Sequence, residues 1–452
     1  MPAVSFVADD LTGAADVLAQ AHRYGLDAAL ALGAGGEIRM PTDADVVGVA
    51  GPARSLGGAA FDEVVRAQLT QIARTGAEVL LYKVCSTFDS SPTIGSIGRG
   101  IELLHEQFSE LGPVAVAPAQ PQFGRYTAFS NHFGVFAGQV HRLDRHPVMS
   151  RHPSTPMREA DLRQVLAEQF IDHQVPGALH LPAYADGSFN DRWKACQSES
   201  VPAFVVDAVT DDHLDEVARA LRDAGQPSGR RPSVVVGSGG IMAALARIAT
   251  GRPARQPGQQ QASGPVLTVS ASASSTTAAQ IGDAVTHGWA DVPVPAELLE
   301  DHDPALLAEV EKQTAQALSA GRDVVVHTTR GNDDPRFAAT GPIDPQHVGA
   351  LLGALAGRMA LDGLTRDIAI LGGDTSSHAL LAMNVRELRV SDQFVTAGPI
   401  CRTDDDAAVA GCRLLLKGGQ VGPPDILRRF AGQTPDRSTN RPPTVNDERR
   451  NQ

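Results

Sequence analysis

The stretch Val4-Ser5-Phe6-Val7-Ala8-Asp9-Asp10-Leu11-Thr12-Gly13-Ala14 decides how the chain folds. Five uncharged residues suit a short strand buried on both faces, two aspartates close it, and the alanine-rich run 14–23 has the composition of a helix. The same step recurs outward. Apolar runs at 46–50, 79–84 and 114–117 alternate with helical patterns at 59–74 and 94–108, and a further set occurs at 204–206, 211–224, 233–236 and 240–248. That βαβα rhythm predicts an α/β protein with a mostly parallel sheet.

Between residues 251 and 264 the sequence GRPARQPGQQQASG has no apolar periodicity and reads as a linker or exposed crossing. Alternation then resumes, with strands expected at 266–269, 324–327 and 368–371 and helices at 276–286, 303–319, 348–361 and after Thr375. The expected organisation is a domain at 1–250, a linker at 251–264, a second domain at 265–432 and a disordered tail at 433–452, with an active-site cleft between two α/β domains.

The chain has 452 residues, enough for two or three domains at about 150 residues each. It carries 39 Lys and Arg against 52 Asp and Glu, a formal charge of −13, so phosphate backbones and anionic lipid surfaces are repelled. Nucleic acid and membrane are therefore not expected as partners. The four cysteines form no C-x-x-C pair, which argues against zinc and a disulfide framework. The opening segment lacks a basic n-region and no apolar run approaches 18 residues, so a cytoplasmic location is expected.

Asp9 and Asp10 fall where the first strand ends, the position at which open α/β sheets bind ligands. Carboxylates there can accept a proton from a hydroxyl or hold Mg²⁺. A helix cap by one aspartate or by Thr12 accounts for one acid but not for two. After the run 79–84 comes Cys85-Ser86-Thr87-Phe88-Asp89-Ser90-Ser91, a composition suited to an anionic polyol: Lys83 for a carboxylate, and Ser86, Thr87 and Asp89 for hydroxyls. The chain has only four lysines, and two of them, Lys83 and Lys417, close apolar runs. The alternative for Lys83 is a strand end running out to solvent. Pro118 to Arg125 is a Pro- and Gly-bearing loop that would present Arg125 as a carboxylate clamp, and 151–157 is a polar loop able to close over the same place. Both also read as plain turns.

In the second half, Leu371-Gly372-Gly373-Asp374-Thr375 lies between a strand and a helix, where glycines allow close approach to a phosphate and the helix start supplies N–H groups. Ser270, Ser272 and Ser274 come after one expected strand and Lys417-Gly418-Gly419 after another, which makes three strand-end loops fit for a phosphate cradle. No glycine is followed by lysine, so no P-loop is present. Gly237-Ser238-Gly239-Gly240 has Met242 where a dinucleotide fingerprint needs glycine.

Taken in order, Ala8 to Ala14, Tyr82 to Ser91 with Gly95 and Gly98, Pro118 to Arg125, His152 to Met157, Gly237 to Gly240, Ser270 to Thr276, Gly372 to Thr375 and Lys417 to Gly419 resemble the four-carbon acid sugar kinase family over residues 3 to about 430. The resemblance implies a sugar-acid-binding N-terminal domain, an ATP-binding C-terminal domain and phosphoryl transfer to a terminal hydroxyl across the cleft. It places Asp9, Asp10, Lys83, Ser86, Thr87 and Arg125 on the substrate side. Ser270, Ser272, Gly372, Gly373, Asp374, Thr375 and Gly419 fall on the nucleotide side, with Gly418 beside them. One departure stands out, Ala271 where relatives tend to carry glycine.

ATP and Mg²⁺ are the expected cofactors, with the residues that hold the metal left open; a homodimer is the expected assembly. Asp10, the nearer of the pair to the helix start, is expected as the base, with Asp9 left to cap the helix or hold Mg²⁺. A side chain added at Gly373 is expected to block the nucleotide alone. Two other classes compete with the kinase: a non-catalytic sensor of nucleotide or sugar acid, and an isomerase or epimerase using Asp9 or Asp10.

Overall fold

The computed structural model describes residues 2–433 except 34–37, 153, 225–231, 257, 259–260, 301–302, 332–333, 337–342 and 396–397; the side chains of Asp374 and Thr375 also lie outside the described residues. The expected tail lies outside them too, save Gln433, which is hydrogen-bonded to Trp289 and Asp323.

Both halves are α/β, and their strands join into one 15-stranded sheet. Eight strands of the first half run parallel, in the order Ala28–Ala31, Val46–Ala50, Val4–Ala8, Val79–Lys83, Ser233–Gly237, Val114–Ala117, Ala203–Val206 and Gly177–Leu179. Five parallel strands of the second half take the order Ala290–Pro293, Val324–His327, Val266–Ser270, Asp367–Leu371 and Arg413–Lys417. A hairpin, Glu387–Val395 and Gly398–Thr403, completes the second half and pairs antiparallel with Ala28–Ala31, so the two sheets meet edge to edge. Closing the two edges against each other removes a pair of exposed strand edges.

The described residues of the segment 251–264 are in neither helix nor strand and are tied to both halves. Arg255 N donates to the Arg23 carbonyl at 2.7 Å, Gly258 N to Asp392 Oδ1 at 3.3 Å, and Ser263 N and Oγ to Asp367 Oδ2 at 2.8 and 2.9 Å.

The helix Leu11–Arg23 holds the halves together. Its alanines allow close packing, and it lies against the helix Gly239–Thr250 of its own half and against Glu387–Val395 and the helix Gly373–Ala382 of the other. Burial on nearly every face forces its polar side chains to find partners: Gln20 and Gln120 both donate to the buried Asp16.

A separate three-stranded antiparallel sheet, Arg125–Ala128, Asn131–Phe136 and Gln139–Arg142, stands outside the large one. Its first turn places Phe129 and Ser130 at positive φ, 49° and 62°, and their amides donate to the buried Asp207 at 2.7 and 2.9 Å. Asp207 thus does from a distance what Asn-Gly does locally in an ordinary hairpin.

Candidate active site

Parallel register brings the ends of three strands level: Ala8 pairs with Ala50 on one side and with Lys83 on the other. The loops that leave these three strand ends must therefore meet. After Ala50 a short 3-10 turn, Ala53–Ser55, sets Arg54 against both aspartates. Arg54 Nη2 and Nε reach Asp9 Oδ1 and Oδ2 at 2.9 and 3.1 Å, and Nη1 reaches Asp10 Oδ2 at 2.6 Å. Asp10 Oδ1 accepts from Gly13 N and caps the helix. Of the two roles left open for Asp9, the cap falls to Asp10 instead, and Asp9 has both oxygens on a guanidinium, which leaves it poorly placed to hold a metal. Burial pushes the Asp9 carboxyl up to about 6, with Arg54 pulling against it and Asp10 adding to it.

Lys83 is buried rather than running out to solvent. Its Nζ donates to the Val84 carbonyl at 2.9 Å, and a Cβ on Gly13 would stand 2.7 Å from Asp10 Oδ1, 3.1 Å from Lys83 Nζ and 3.5 Å from Asp9 Oδ1. Lys83 is therefore balanced by acids, which leaves Arg125 better placed for a substrate carboxylate. Arg125 opens the small sheet after Gly124, which has φ of 63°, and its Nη1 donates to the carbonyls of Phe123, Gly124 and Val135 at 3.1, 3.4 and 3.5 Å. Its Nε is buried with no partner, and among the described residues no carboxylate pairs with it.

The loop 85–89 lies between these cations, and charge on Cys85 is felt by Arg54, Lys83 and Arg125 alike. The Thr87 hydroxyl donates to Asp89. Burial opposes ionisation of Asp89, but Arg54, Thr87 and His152 together outweigh it and hold the carboxyl below its usual range. His152 is fixed in turn by Thr155, whose N and Oγ1 lie 3.2 and 2.9 Å from Nδ1. The Ser86 carbonyl accepts from His132 Nε2 at 2.7 Å, which leaves Nδ1 to accept from Thr127 at 2.9 Å; burial pushes that ring down to about 4, so it is neutral. Sequence alone does not single out Arg54 or His132. Nothing in an Arg on a Pro-Ala-Arg-Ser turn marks it until strand register is known.

The second half repeats the construction. Ser270, His327, Leu371 and Lys417 end their strands level, and the Ser270–Ser274, Gly372–Gly373 and Lys417–Gly419 loops meet beyond them. Ser274 Oγ and Thr277 Oγ1 donate to the Gly419 carbonyl at 2.8 and 2.9 Å, and a Cβ on Gly419 would stand 2.6 Å from Ser272 Oγ. Gly372 has φ of 121°, a conformation that favours glycine, and its carbonyl accepts from Ser376 Oγ. Ala271 N donates to the Leu371 carbonyl at 3.4 Å, which ties its loop to the neighbouring strand. The three expected cradle loops are brought together, while the side chains of Asp374 and Thr375 lie outside the described residues.

The two halves touch at Thr12. A Cβ on Gly373 would lie 3.1 Å from Thr12 Oγ1 and 3.7 Å from Asp10 Oδ2, and one on Gly418 would lie 2.8 Å from Thr12 Cγ2. Gly373, which opens a helix of the second half, therefore faces Thr12 and Asp10 of the first, and a side chain there does not leave the first half untouched, contrary to expectation.

Comparison with known proteins agrees with this division. A family described as the sugar-binding N-terminal domain matches residues 4–245, and one described as the nucleotide-binding C-terminal domain matches residues 267–427. A 3-oxo-isoapionate kinase of Paraburkholderia graminis is 33% identical, over 93% of this chain and 92% of that one. A D-threonate kinase of Bordetella bronchiseptica is 30% identical over 95% and 97%, and a 3-oxo-tetronate kinase of Pseudomonas savastanoi pv. phaseolicola 29% identical over 95% and 98%. A crystal structure of a Haemophilus influenzae protein shares the fold with a TM-score of 0.70 at 20% identity, over 95% of this chain and 99% of that one. Matched by both domain families and up to 33% identical to such kinases over nearly its whole length, the chain belongs to the four-carbon acid sugar kinases, a family of phosphotransferases.

Proposed function

We propose that the chain transfers the γ-phosphoryl group of ATP to the terminal hydroxyl of a four-carbon sugar acid: a 3-oxo-tetronate, threonate or erythronate. The observation that carries this reading is the contact at Thr12, which sets Asp10 of one half against the glycine loops of the other. Phosphoryl transfer is a matter of position and charge, with the acceptor hydroxyl in line with the γ-phosphate and donors around the oxygens that gain charge. Asp10 Oδ2, the aspartate oxygen nearest the cradle, takes the hydroxyl proton. Arg54 holds Asp9 and Asp10 in place, Arg125 clamps the substrate carboxylate, and Ser86, Thr87 and Asp89 meet its hydroxyls. Ser270, Ser272, Gly372, Gly373, Gly418 and Gly419 receive the phosphates, with Asp374 and Thr375 assigned to the same site by their place in the Gly-Gly turn.

Among the described residues no group of three His, Cys, Asp or Glu side chains is disposed to hold a metal ion. Mg²⁺ fits as an ion carried on the nucleotide, because it keeps much of its water and takes phosphate oxygens with few protein ligands. The Ser272 hydroxyl is the protein oxygen at hand for it, and bound Mg²⁺ would neutralise charge on the phosphates. The cytoplasm is the proposed location: the four cysteines are free, and among the described residues no helix is long and apolar enough to cross a membrane.

The test is an ADP-release assay over D- and L-threonate, D- and L-erythronate, their 3-oxo forms and 3-oxo-isoapionate, with the product's phosphate located by NMR. The expected result is ADP formed in step with a terminal phosphate ester. Binding of both ligands without turnover would favour the sensor, and rearranged acid without ATP would favour the isomerase or epimerase. Light scattering on the same preparation tests the homodimer.

A further inference from the structure

Lys417 ends Arg413–Lys417, the last of the five parallel strands of the nucleotide half, and is only 2% exposed. Its Nζ donates to the Gly418 carbonyl at 2.9 Å and lies 3.4 Å from Thr277 Oγ1, which itself donates to the Gly419 carbonyl. The ammonium thus sits directly under the turn whose other side is closed by Ser272 and Ser274. An ammonium has three donors, and the two contacts seen are to neutral oxygens.

Charged groups on the surrounding elements have partners of their own. On the helix Leu11–Arg23, whose Thr12 abuts the Gly418 turn, Asp10 at the cap pairs with Arg54 and Asp16 accepts from Gln20 and Gln120. On the helix Ser275–Thr286, Asp283 pairs with Arg428 of the helix Ile426–Phe430; at the far end of the strand pair, Asp367 pairs with Arg413; Arg402 on Gly398–Thr403 is exposed. Among the described residues no carboxylate pairs with Lys417, the side chain of Asp374 being outside them. Lys83 makes the contrast. It too ends a strand, is 2% exposed and donates to the next carbonyl at 2.9 Å, yet it has Asp9 and Asp10 beside it. A buried cation without a counter-charge is costly, and an anionic ligand would remove that cost.

We propose that Lys417 is the fixed positive charge beneath the nucleotide phosphates, binding the phosphate tail as an ammonium through the Gly418–Gly419 turn. The proposal rests on the nucleotide site being where the proposed function puts it. Burial alone lowers the Lys417 pKa to about 8. Bound phosphate favours the charged form and raises that value, so affinity is greatest below about 8 and falls as pH rises from there toward the bound-state value.

The test is calorimetry with ATP and with adenosine on the full chain and on Lys417→Met and Lys417→Gln, the latter keeping a donor for the Gly418 carbonyl. ATP affinity of the unsubstituted chain should fall by about fivefold or more between pH 7.5 and 9. Both variants should bind ATP about 10- to 100-fold more weakly at pH 7.5, with a flat profile, while adenosine changes by less than about twofold. Equal losses for ATP and adenosine would make Lys417 a strut of the turn and overturn the proposal. So would a folded variant that binds ATP normally. An unsubstituted chain that binds no ATP would overturn the nucleotide site itself. Should neither variant fold, the pH profile of the unsubstituted chain decides alone.

Discussion

The strand ends of the two halves are built alike and charged differently. On the sugar side, Arg54 and Lys83 stand among Asp9, Asp10 and Asp89, so positive and negative groups offset one another before any ligand arrives. On the nucleotide side, backbone glycines and serine and threonine hydroxyls surround a single ammonium. A neutral or singly charged polyol needs directed hydrogen bonds and a poised carboxylate, which a balanced cluster holds rigidly. A polyphosphate needs room, N–H groups and positive charge, and among the described residues Lys417 brings that charge to the second side.

Gly373 lies on the boundary and gives the most drastic way to break this comparison. Gly373→Val should abolish turnover and remove the thermal stabilisation given by ATP and by the sugar acid, because a side chain in this turn of the nucleotide half would press on Thr12 and reach Asp10. Loss of the ATP effect alone would place Gly373 wholly on the nucleotide side.

Arg54→Met strikes the balanced side. Removing one partner of a buried ion pair costs on the order of 3–5 kcal/mol, here an upper figure because Arg54 keeps some exposure. It also withdraws the influence that lowers the Asp9 carboxyl, so Asp9, followed by its carboxyl NMR signal, should titrate at higher pH. An unmoved titration with unchanged denaturation would show Arg54 to be incidental.

Asp10→Asn sharpens the comparison further, since asparagine caps a helix as well as aspartate does and the helix Leu11–Arg23 should survive. kcat should fall by roughly 100-fold or more with ATP binding little changed. Near-normal kcat would hand the role of base to Asp9.

Much of the fold is legible in the sequence because parallel strands buried on both faces leave continuous apolar runs. Those at 46–50, 114–117 and 324–327 coincide with the strands seen. The loops after them are legible too, since hydroxyls, glycines and paired acids at strand ends have few structural uses in such number. The small sheet is not. Its strands are short and polar, and the Phe129–Ser130 turn is held by Asp207, 78 residues away from Phe129, instead of by local turn residues. The joining hairpin Glu387–Val395 and Gly398–Thr403 escapes for a related reason, as its alternation is broken by bulges near Asp392 and Val395. Arg54 is hidden because its value lies in register: only the pairing of Ala8 with Ala50 brings its turn onto Asp9.

The central claim, that one cleft has a sugar-acid side and a nucleotide side, is tested most directly by calorimetry of each ligand on Arg125→Ala and Gly419→Val. Arg125 has no carboxylate partner to lose among the described residues, so its removal should weaken sugar-acid binding by about 10- to 100-fold and leave ATP unaffected, with only the modest fall in thermal stability that loss of its bonds to the Phe123, Gly124 and Val135 carbonyls brings. A side chain at Gly419 would meet Ser272 Oγ and Ser274 Cβ, so Gly419→Val should remove ATP binding and spare the sugar acid. The predicted result is this crossed pattern. Loss of both ligands in both folded variants, or the opposite pairing of variant with ligand, would contradict the account.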